Sequence, residues 1–419
     1  MPATLVEFYD KSPIENVVSG LIFKPDRIIF LGSNRKQMER QMARYHQLFE
    51  QKNIMSELQC RAINKNNFSQ IKEIICEIAS SNPGCVFDLT GGDELSLAAA
   101  GSVANSLEDR KISFHRVNVQ TRRVTDLFKP DNEIGILSDT LLNVRENIAL
   151  YGGSIVSDAE KEGAMHIWDW SEDFCRDAGK MWEICKTDCG NWNAQITALE
   201  NLNPCDGLNV YVTGIRGGNA PYEAQGRIRW KMPWNKCLLG RLANEKLILN
   251  YRFDAGGFSF AFKNEQVKRC LMKAGQALEL KTYLLARSLT AKDGAPFFND
   301  VMTGVYIDWD GEIHQYGESV PDTENEIDVA AMKGLIPYFI SCKNGSAAEE
   351  ELYKLNTVAT RFGGNYAKKV LIATYIDRNK SSLNAFRQRA KDMNIELLEG
   401  VHMLDDAGFS RKLRGAFGG

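Results

Sequence analysis

The sequence lacks the segments that direct a chain into or across a membrane. No stretch approaches the roughly 18 uninterrupted apolar residues of a transmembrane helix. The first residues, MPATLVEFYDKS, carry acids early and lack the basic and then apolar order of a signal peptide. Ten cysteines are present without a CxxC pair, and Cys185 and Cys189 form the only cluster, with Cys175 and Cys205 nearby. No histidine completes a familiar zinc spacing with them. We therefore expect free thiols, a cytoplasmic location and no membrane partner.

Two common nucleotide-binding signatures are also missing. The chain contains neither GxGxxG nor GxxxxGK[ST], which weakens a dinucleotide-binding or P-loop interpretation. Its 51 Lys and Arg residues against 54 Asp and Glu residues give a net charge of -3, so the surface as a whole is not basic. A nucleic-acid partner would therefore need a local basic groove.

The 419 residues are too many for one typical core, and the pattern of apolar segments changes twice along the chain. Residues 1–155 alternate short apolar strands with amphipathic helices, which predicts an α/β domain with a parallel sheet and helices on both faces. Residues 156–250 are rich in Trp, Asn, Gly and Cys and indicate a linker or small middle domain. Residues 251–419 return to a mixed α/β pattern, with one long helix predicted over 264–289.

Turn residues follow several predicted strands of the N-terminal domain. DLTGGDEL (88–95) places Thr90, Gly91 and Gly92 between a strand and a helix, and LGSNRKQ (31–37) places Ser33 and Asn34 at another helix start. Glycine permits close approach of a ligand to the backbone, and helix N-termini attract phosphate. In an open parallel sheet these turns would share the carboxyl edge with EFYDKSP (7–13). Ordinary strand-to-helix turns with helix caps are the alternative interpretation.

The segment NEIDVAAMKGLIPYFISCKNG (325–345) carries the most informative residues. Along a strand the side chains alternate between faces, so Glu326 and Asp328 share one face, as do Ser341 and Lys343. A hairpin through Lys333-Gly334 would bring the acids and the lysine together. Glu279, on the preceding predicted helix, could reach the same place, so Glu279, Glu326 and Asp328 are candidate ligands for a divalent cation. A surface ion pair and an edge-strand lysine are the structural alternative.

The acids and the lysine resemble the motif of the PD-(D/E)xK nuclease superfamily, with Asp328 as the first acid and Lys343 as the lysine. The chain departs from the family where a second acid usually stands, because Ser341 occupies that position. Either Glu326 or Glu279 supplies the missing charge, or the site is weak or inactive.

The order TLVEFYD, IIFLGSN, FDLTGGDEL and NEIDV…FISCKNG resembles the CRISPR ancillary nucleases. These join a CARF sensor domain, which is Rossmann-like, to a restriction-endonuclease-like PD-(D/E)xK domain. The resemblance implies a homodimer activated by cyclic tetra-adenylate in type III CRISPR antiviral defence, and a metal-dependent endonuclease that cuts DNA or RNA with Mn²⁺ or Mg²⁺. It implies the following ligand-binding residues: Tyr9, Asp10, Ser33, Asn34, Thr90, Gly91 and Gly92. It implies the following catalytic residues: Glu279, Asp328, Ser341 and Lys343.

Two other functions stay open at this point. Ser341 could mark a catalytically weak or inactive protein that only senses a nucleotide or binds nucleic acid. The chain could also be a restriction-type endonuclease that needs no small ligand.

Overall fold

The computed structural model describes residues 2–107, 112–127, 133–134, 140–161, 163–201, 205–213, 219–224, 227–254, 256–312, 324–376 and 379–418. Within these ranges, no helix combines the length and the apolar character that a membrane crossing requires. The described residues form four sheets, with seven, four, two and six strands.

The N-terminal unit is built on a seven-stranded sheet. Its strands are β1 (Thr4–Phe8), β2 (Arg27–Gly32), β3 (Glu57–Ala62), β4 (Val86–Asp88), β5 (Ser113–Asn118), β6 (Arg123–Asp126) and β7 (Glu133–Ile134). They lie in the order β3-β2-β1-β4-β5-β6-β7. The first five pair in parallel, and β6 and β7 extend one edge antiparallel. The parallel sheet predicted from the sequence is confirmed.

Helices cover both faces of this sheet. They are α1 (Val18–Phe23), α2 (Arg35–Gln51), α3 (Phe68–Ser81) and α4 (Glu94–Leu107). Every residue of β1 is buried, and its side chains alternate between the two faces. Leu5 belongs to the core that includes residues of α1 and α2, whereas Val6 belongs to the core formed with α3 and α4. The continuous apolar character of the strand therefore follows from burial on both sides.

The next part of the chain links the two larger sheets. It begins with α5 (Val144–Leu150) and β8 (Ser154–Ile155) and continues with α6 (Glu172–Cys185), α7 (Cys189–Glu200), β9 (Cys205–Asp206), β10 (Asn209–Thr213), β11 (Asn219–Ala224), β12 (Arg227–Pro233), α8 (Lys236–Asn244), β13 (Ile248–Phe253) and β14 (Gly257–Phe262). A four-stranded sheet has the order β13-β14-β10-β9, and β11 pairs with β12. The pairing of β14 extends this sheet beyond residue 250, and β8 pairs with the C-terminal sheet. The strand pairing thus crosses both expected domain boundaries, and the division into domains stays a prediction.

The C-terminal unit contains a mixed six-stranded sheet. Its elements are α9 (Glu265–Cys270), α10 (Gln276–Ser288), β15 (Asp300–Asp308), β16 (Glu324–Lys333), β17 (Ile336–Lys343), α11 (Glu349–Gly363), β18 (Lys368–Ala373), α12 (Lys380–Asp392), β19 (Ile395–Glu399) and α13 (Asp406–Ala416). The sheet has the order β19-β18-β17-β16-β15-β8. The hairpin of β16 and β17 turns at Gly334, whose φ of +68° favours glycine. The mixed α/β prediction and the hairpin are both confirmed.

The single long helix predicted over 264–289 is wrong. The structure has two helices, α9 and α10, separated by residues 271–275. At the break, a Cβ on Gly275 would lie 2.9 Å from Oε1 of Glu279, so the absence of a side chain there leaves room for that carboxylate. The apolar periodicity continues through the break, which is why the sequence pattern did not reveal it.

Candidate functional site

The hairpin of β16 and β17 opens at the position of the predicted acid. The last backbone pair in the register is Val329 with Ile340, and Asp328 lies just beyond it. Oδ2 of Asp328 accepts a hydrogen bond of 2.6 Å from the backbone N–H of Cys342 and one of 3.2 Å from Oγ of Ser341. The structure therefore brings Asp328 and Ser341 together, and Ser341 acts as a hydrogen-bond donor to the acid.

Three carboxylates gather at this opening. Oxygen atoms of Glu279, Glu326 and Asp328 lie within 4.8 Å of one another. Glu279 reaches the cluster from α10 and is 3% exposed. Burial, followed by the negative charge of Asp328, raises the pKa of Glu279 to about 8. Burial also raises the pKa of Asp328, against the opposing effects of Lys343 and the Cys342 N–H group. Acids held this close repel each other, and a cation that binds among them relieves this repulsion.

The predicted lysine lies beside the acids and has its own carboxylate partner. Nζ of Lys343 is 2.9 Å from Oε2 of Glu351, in the first turn of α11. Burial disfavours the Lys343 ammonium, but the charges of Asp328 and Glu351 outweigh burial and raise its pKa. Asp328, Ser341, Lys343 and Glu351 all line one small cavity of about 60 Å³. The convergence expected from the strand pattern is present.

Three residues of this site were not found from the sequence. Nζ of Lys273 lies 2.5 Å from Oε1 of Glu326 and 3.4 Å from Oε2 of Glu279. Nε2 of Gln276 donates a hydrogen bond of 3.0 Å to the same oxygen of Glu279. Lys273 lies in the helix break, so the prediction of a continuous helix concealed it. Glu351 could have been found as an acid in the first turn of the helix that follows the lysine.

A larger cavity of about 560 Å³ leads to the acidic cluster. Glu326 lines both this cavity and the small one. Three cations, Lys268, Arg269 and Lys273, also line the larger cavity. Glu265 lines this cavity as well. Each of the three cations lies within 3.8 Å of a carboxylate, so the wall carries ion pairs and little net positive charge.

The predicted ligand-binding turns meet at one edge of the N-terminal sheet. β1 lies between β2 and β4, so the turns after these three parallel strands are neighbours at the carboxyl edge. In this sheet β2 and β3 lie on one side of β1, whereas β4 and β5 lie on the other side. Such a reversal of strand order leaves a crevice in doubly wound sheets. Asn34 caps α2, and its side chain accepts a hydrogen bond from the backbone N–H of Gln37.

Close backbone packing joins two of these turns. Oδ2 of Asp10 accepts a hydrogen bond of 3.3 Å from the N–H of Gly92. Gly92 has a φ of +107°, and a Cβ there would lie 2.6 Å from Cβ of Phe8, so only glycine fits. A Cβ on Gly91 would lie 2.8 Å from Cβ of Asp10. Both glycines are therefore required by the packing of the turn, whether or not a ligand binds.

Two polar side chains in the candidate ligand site already have protein partners. Oγ1 of Thr90 lies 2.5 Å from Oδ1 of Asp88 and accepts a hydrogen bond of 2.8 Å from the N–H of Val117. Burial raises the pKa of the Tyr9 hydroxyl, and a hydrogen bond with Gln37 partly offsets this effect. Ser33 and Asn34 are exposed at the same edge. The side chain of Thr90 thus supports the turn, and the exposed groups are those that a ligand can reach.

The comparisons with known proteins concern structure, because no protein-family model and no curated protein matches the chain. The structure is similar to that of Can2 from Sulfobacillus thermosulfidooxidans, solved in complex with cyclic tetra-adenylate. The TM-score is 0.67 at 17% identity over 100% of this chain and 98% of that chain. It is also similar to the protein VC1899 from Vibrio cholerae, with a TM-score of 0.73 at 18% identity over 99% of this chain and 98% of that chain. The chain has the fold of these two proteins. At this identity the likeness extends to the fold alone, and the chemistry has to be argued from the residues.

Proposed function

We propose that the chain is a metal-dependent nuclease of type III CRISPR defence whose cutting of DNA or RNA is controlled by cyclic tetra-adenylate. The observation that supports this most directly is the cluster of Glu279, Glu326 and Asp328 beside Lys343. The shared fold with Can2, which was solved with that cyclic nucleotide, supports the choice of ligand.

The donor set fits a small divalent cation. Three carboxylates supply oxygen atoms, which Mg²⁺ and Mn²⁺ prefer, and their spacing of 4.8 Å or less suits a shared ion. A bound ion of this kind polarises a phosphodiester and lowers the pKa of a water molecule. Nothing in the donor set selects between the two metals.

Each residue then has a definite task. Hydrogen bonds from Cys342 and Ser341 orient Asp328, and Gln276 orients Glu279. Glu351 holds the ammonium of Lys343, which would orient the attacking water and offset negative charge in the transition state. Ser341 is thus assigned a supporting role, and Glu279 and Glu326 provide the acids that the family motif places elsewhere.

The ligand would bind at the carboxyl edge of the N-terminal sheet. The residues proposed to line it are Tyr9, Asp10, Ser33, Asn34, Thr90, Gly91 and Gly92. A ring of four equal nucleotides has two-fold symmetry, so a two-fold homodimer would present the same turns twice. Binding would favour one arrangement of the two protomers, and the catalytic units would follow.

The proposal is tested by cleavage of labelled single-stranded DNA, RNA and supercoiled plasmid with Mn²⁺ or Mg²⁺, with and without cyclic tetra-adenylate. We expect cutting that requires both the metal and the cyclic nucleotide and that Asp328→Asn abolishes. Equal cutting with and without the nucleotide would refute the control by ligand. Absence of cutting under every condition, with nucleotide binding retained, would favour a sensor without nuclease activity.

A catalytically weak sensor is the second candidate, and a specific contact favours it. The ammonium of Lys273 lies between two of the three acids and can partly neutralise them without a metal. Titration of the protein with Mn²⁺, followed by electron paramagnetic resonance, distinguishes the two functions. Stoichiometric binding that Asp328→Asn removes supports the nuclease, and no binding up to millimolar Mn²⁺ supports the sensor.

A further inference from the structure

A large basic cavity lies away from both candidate sites. It measures about 1180 Å³ and extends from the β5–β6 turn, past the β16–β17 turn, to β18, α12 and the end of α13. Six cations line it: Arg122, Lys333, Lys368, Lys369, Arg387 and Lys391. Two acids, Glu396 and Glu399, also line it. In a chain whose net charge is -3, this excess of positive charge is local.

Most of these cations have no carboxylate partner among the described residues. Arg387 binds Glu399 at 2.7 Å. The others that make contacts use neutral groups. Nη1 of Arg122 donates to the carbonyl of Thr140, Nζ of Lys333 lies 3.8 Å from the ring centre of Phe297, and Nζ of Lys369 donates to Oδ1 of Asn356. Lys368 and Lys391 are exposed and make no ion pair within the described part of the chain.

Burial makes this arrangement unfavourable without an anion. It lowers the pKa of Arg122, of Lys333 and of Lys369, because each cation loses water and gains no opposite charge. The Arg122 side chain lies over Gly334, where an added Cβ would be 3.3 Å from its Nε atom. The two turns therefore hold the guanidinium at the cavity wall. Several anionic groups in the cavity would supply the missing opposite charge.

We propose that this cavity binds the phosphate backbone of a nucleic-acid strand. The charge pattern specifies phosphate, and the choice of nucleic acid rests on the proposed nuclease function. The cations are distributed over two turns, a strand and a helix, which suits several successive phosphates better than one. Contacts of lysine and arginine side chains with phosphate carry no sequence information, so this part of the binding would be independent of sequence.

The position of the cavity makes it a second contact for the substrate. Glu351, near the start of α11, binds Lys343 in the catalytic cluster, and Thr360, near its end, lines the basic cavity. Glu351 and Thr360 are nine residues apart in α11, which is about 14 Å at the helical rise of 1.5 Å. A strand held in the cavity would therefore be anchored at a distance from the bond that is cut.

The test is the affinity of the full chain for a fluorescent single-stranded oligonucleotide of about 20 nucleotides, which at about 3.4 Å per nucleotide is longer than α11. Fluorescence anisotropy is measured in EDTA, where no metal supports cutting. The variant is Lys368→Glu with Lys391→Glu, because both side chains are exposed and the fold should tolerate them. The matched control is Lys65→Glu with Lys292→Glu, two exposed lysines that do not line the cavity.

We expect the cavity variant to raise the Kd about tenfold and the control to change it less than about twofold. The slope of log Kd against log salt should fall by about 1.4 in the cavity variant, which is about 0.7 for each of the two phosphates that the substituted lysines would neutralise. Equal affinities of the two double variants would overturn the proposal. Competition by inorganic phosphate as effective per phosphate as the oligonucleotide would also overturn it, because the cavity would then bind single phosphates. If the wild type binds the strand through these lysines but never cuts it, the nuclease function fails and this inference stands.

Discussion

The hydroxyl of Tyr366 donates a hydrogen bond of 2.6 Å to Oε1 of Glu15 and joins the C-terminal unit to the N-terminal unit. Glu15 belongs to the 3-10 turn Pro13–Asn16, and Oδ1 of Asn16 accepts a hydrogen bond from the N–H of Asp10 in the candidate ligand site. Tyr366 ends the 3-10 turn Gly364–Tyr366 that follows α11, and the first turn of α11 contains Glu351, the partner of Lys343. The segment from Glu351 to Tyr366 thus contacts the surroundings of both candidate sites.

We expect Tyr366→Phe to weaken the control of cutting by the cyclic nucleotide. The change removes one hydrogen bond to a carboxylate, worth about 1.5–3 kcal/mol, and leaves the ring in place. The ratio of cleavage rates with and without nucleotide should fall about fivefold or more, the lower end of a typical coupling. Tyr375→Phe, at an exposed tyrosine on the same unit, is the control. An unchanged ratio of cleavage rates would show that nucleotide binding controls cutting without this hydrogen bond.

Lys343 and Lys354 provide a matched test of the lysine that is proposed to be catalytic. Both ammonium groups contact Glu351, at 2.9 Å and 3.4 Å. The charge of Asp328 raises the pKa of Lys343. Lys343→Met should reduce the cleavage rate about 100-fold or more, as expected when a group that stabilises transition-state charge is lost. Lys354→Met should retain most of the rate. A similar loss in both variants would mean that the lysines act on the charge of Glu351 and not on the substrate.

The role of Ser341 can be tested against that of Glu326. Because Ser341 only donates a hydrogen bond to Asp328, Ser341→Ala should reduce the cleavage rate less than about tenfold, as for one hydrogen bond of about 1 kcal/mol. Glu326→Gln removes one of the three clustered acids and should reduce both Mn²⁺ affinity and the cleavage rate about tenfold or more. The reverse order of effects would place the serine hydroxyl on the metal.

Lys273 should compete with the metal for the acids. Its ammonium contacts Glu279 and Glu326, so Lys273→Met should raise the Mn²⁺ affinity about tenfold. Titration calorimetry of the protein without nucleic acid measures this affinity. Lys268→Met is the control, because Lys268 lines the same cavity and contacts Glu265 and the carbonyl of Gly207. A weaker affinity in Lys273→Met would mean that the lysine organises the acids for the metal.

The buried Glu279 makes the stability of the metal-free protein depend on pH. Its pKa is about 8 in the folded protein, against an ordinary value of 4.5, so the stability it contributes is present at low pH and is lost as the pH rises through about 8. Glu279→Gln removes this loss. The Tm of the variant minus that of the wild type should increase from pH 5 to pH 9 by at least about 2 °C. A constant difference would mean that Glu279 is not protonated near neutral pH.

Periodicity determined a large part of the fold and of the site. The alternating strands and helices of the first 155 residues specify a parallel sheet, because apolar strands buried on both faces need helices on each side. The period of two along a strand places Glu326 with Asp328, and Ser341 with Lys343, once the hairpin at Gly334 is accepted. These conclusions depend only on neighbours along the chain or on one tight turn.

Tertiary structure alone decided the contacts between distant segments. Lys273 meets Glu326 across 53 residues, and Tyr366 meets Glu15 across 351, and no local pattern encodes either pair. The break between α9 and α10 could not be predicted from the sequence either, because the apolar period continues through it. At the break, Gly275 lies next to the Glu279 carboxylate. Local sequence determines which face a side chain occupies, whereas the packing of whole elements determines which charges meet, and the chemistry proposed for this protein depends on the second.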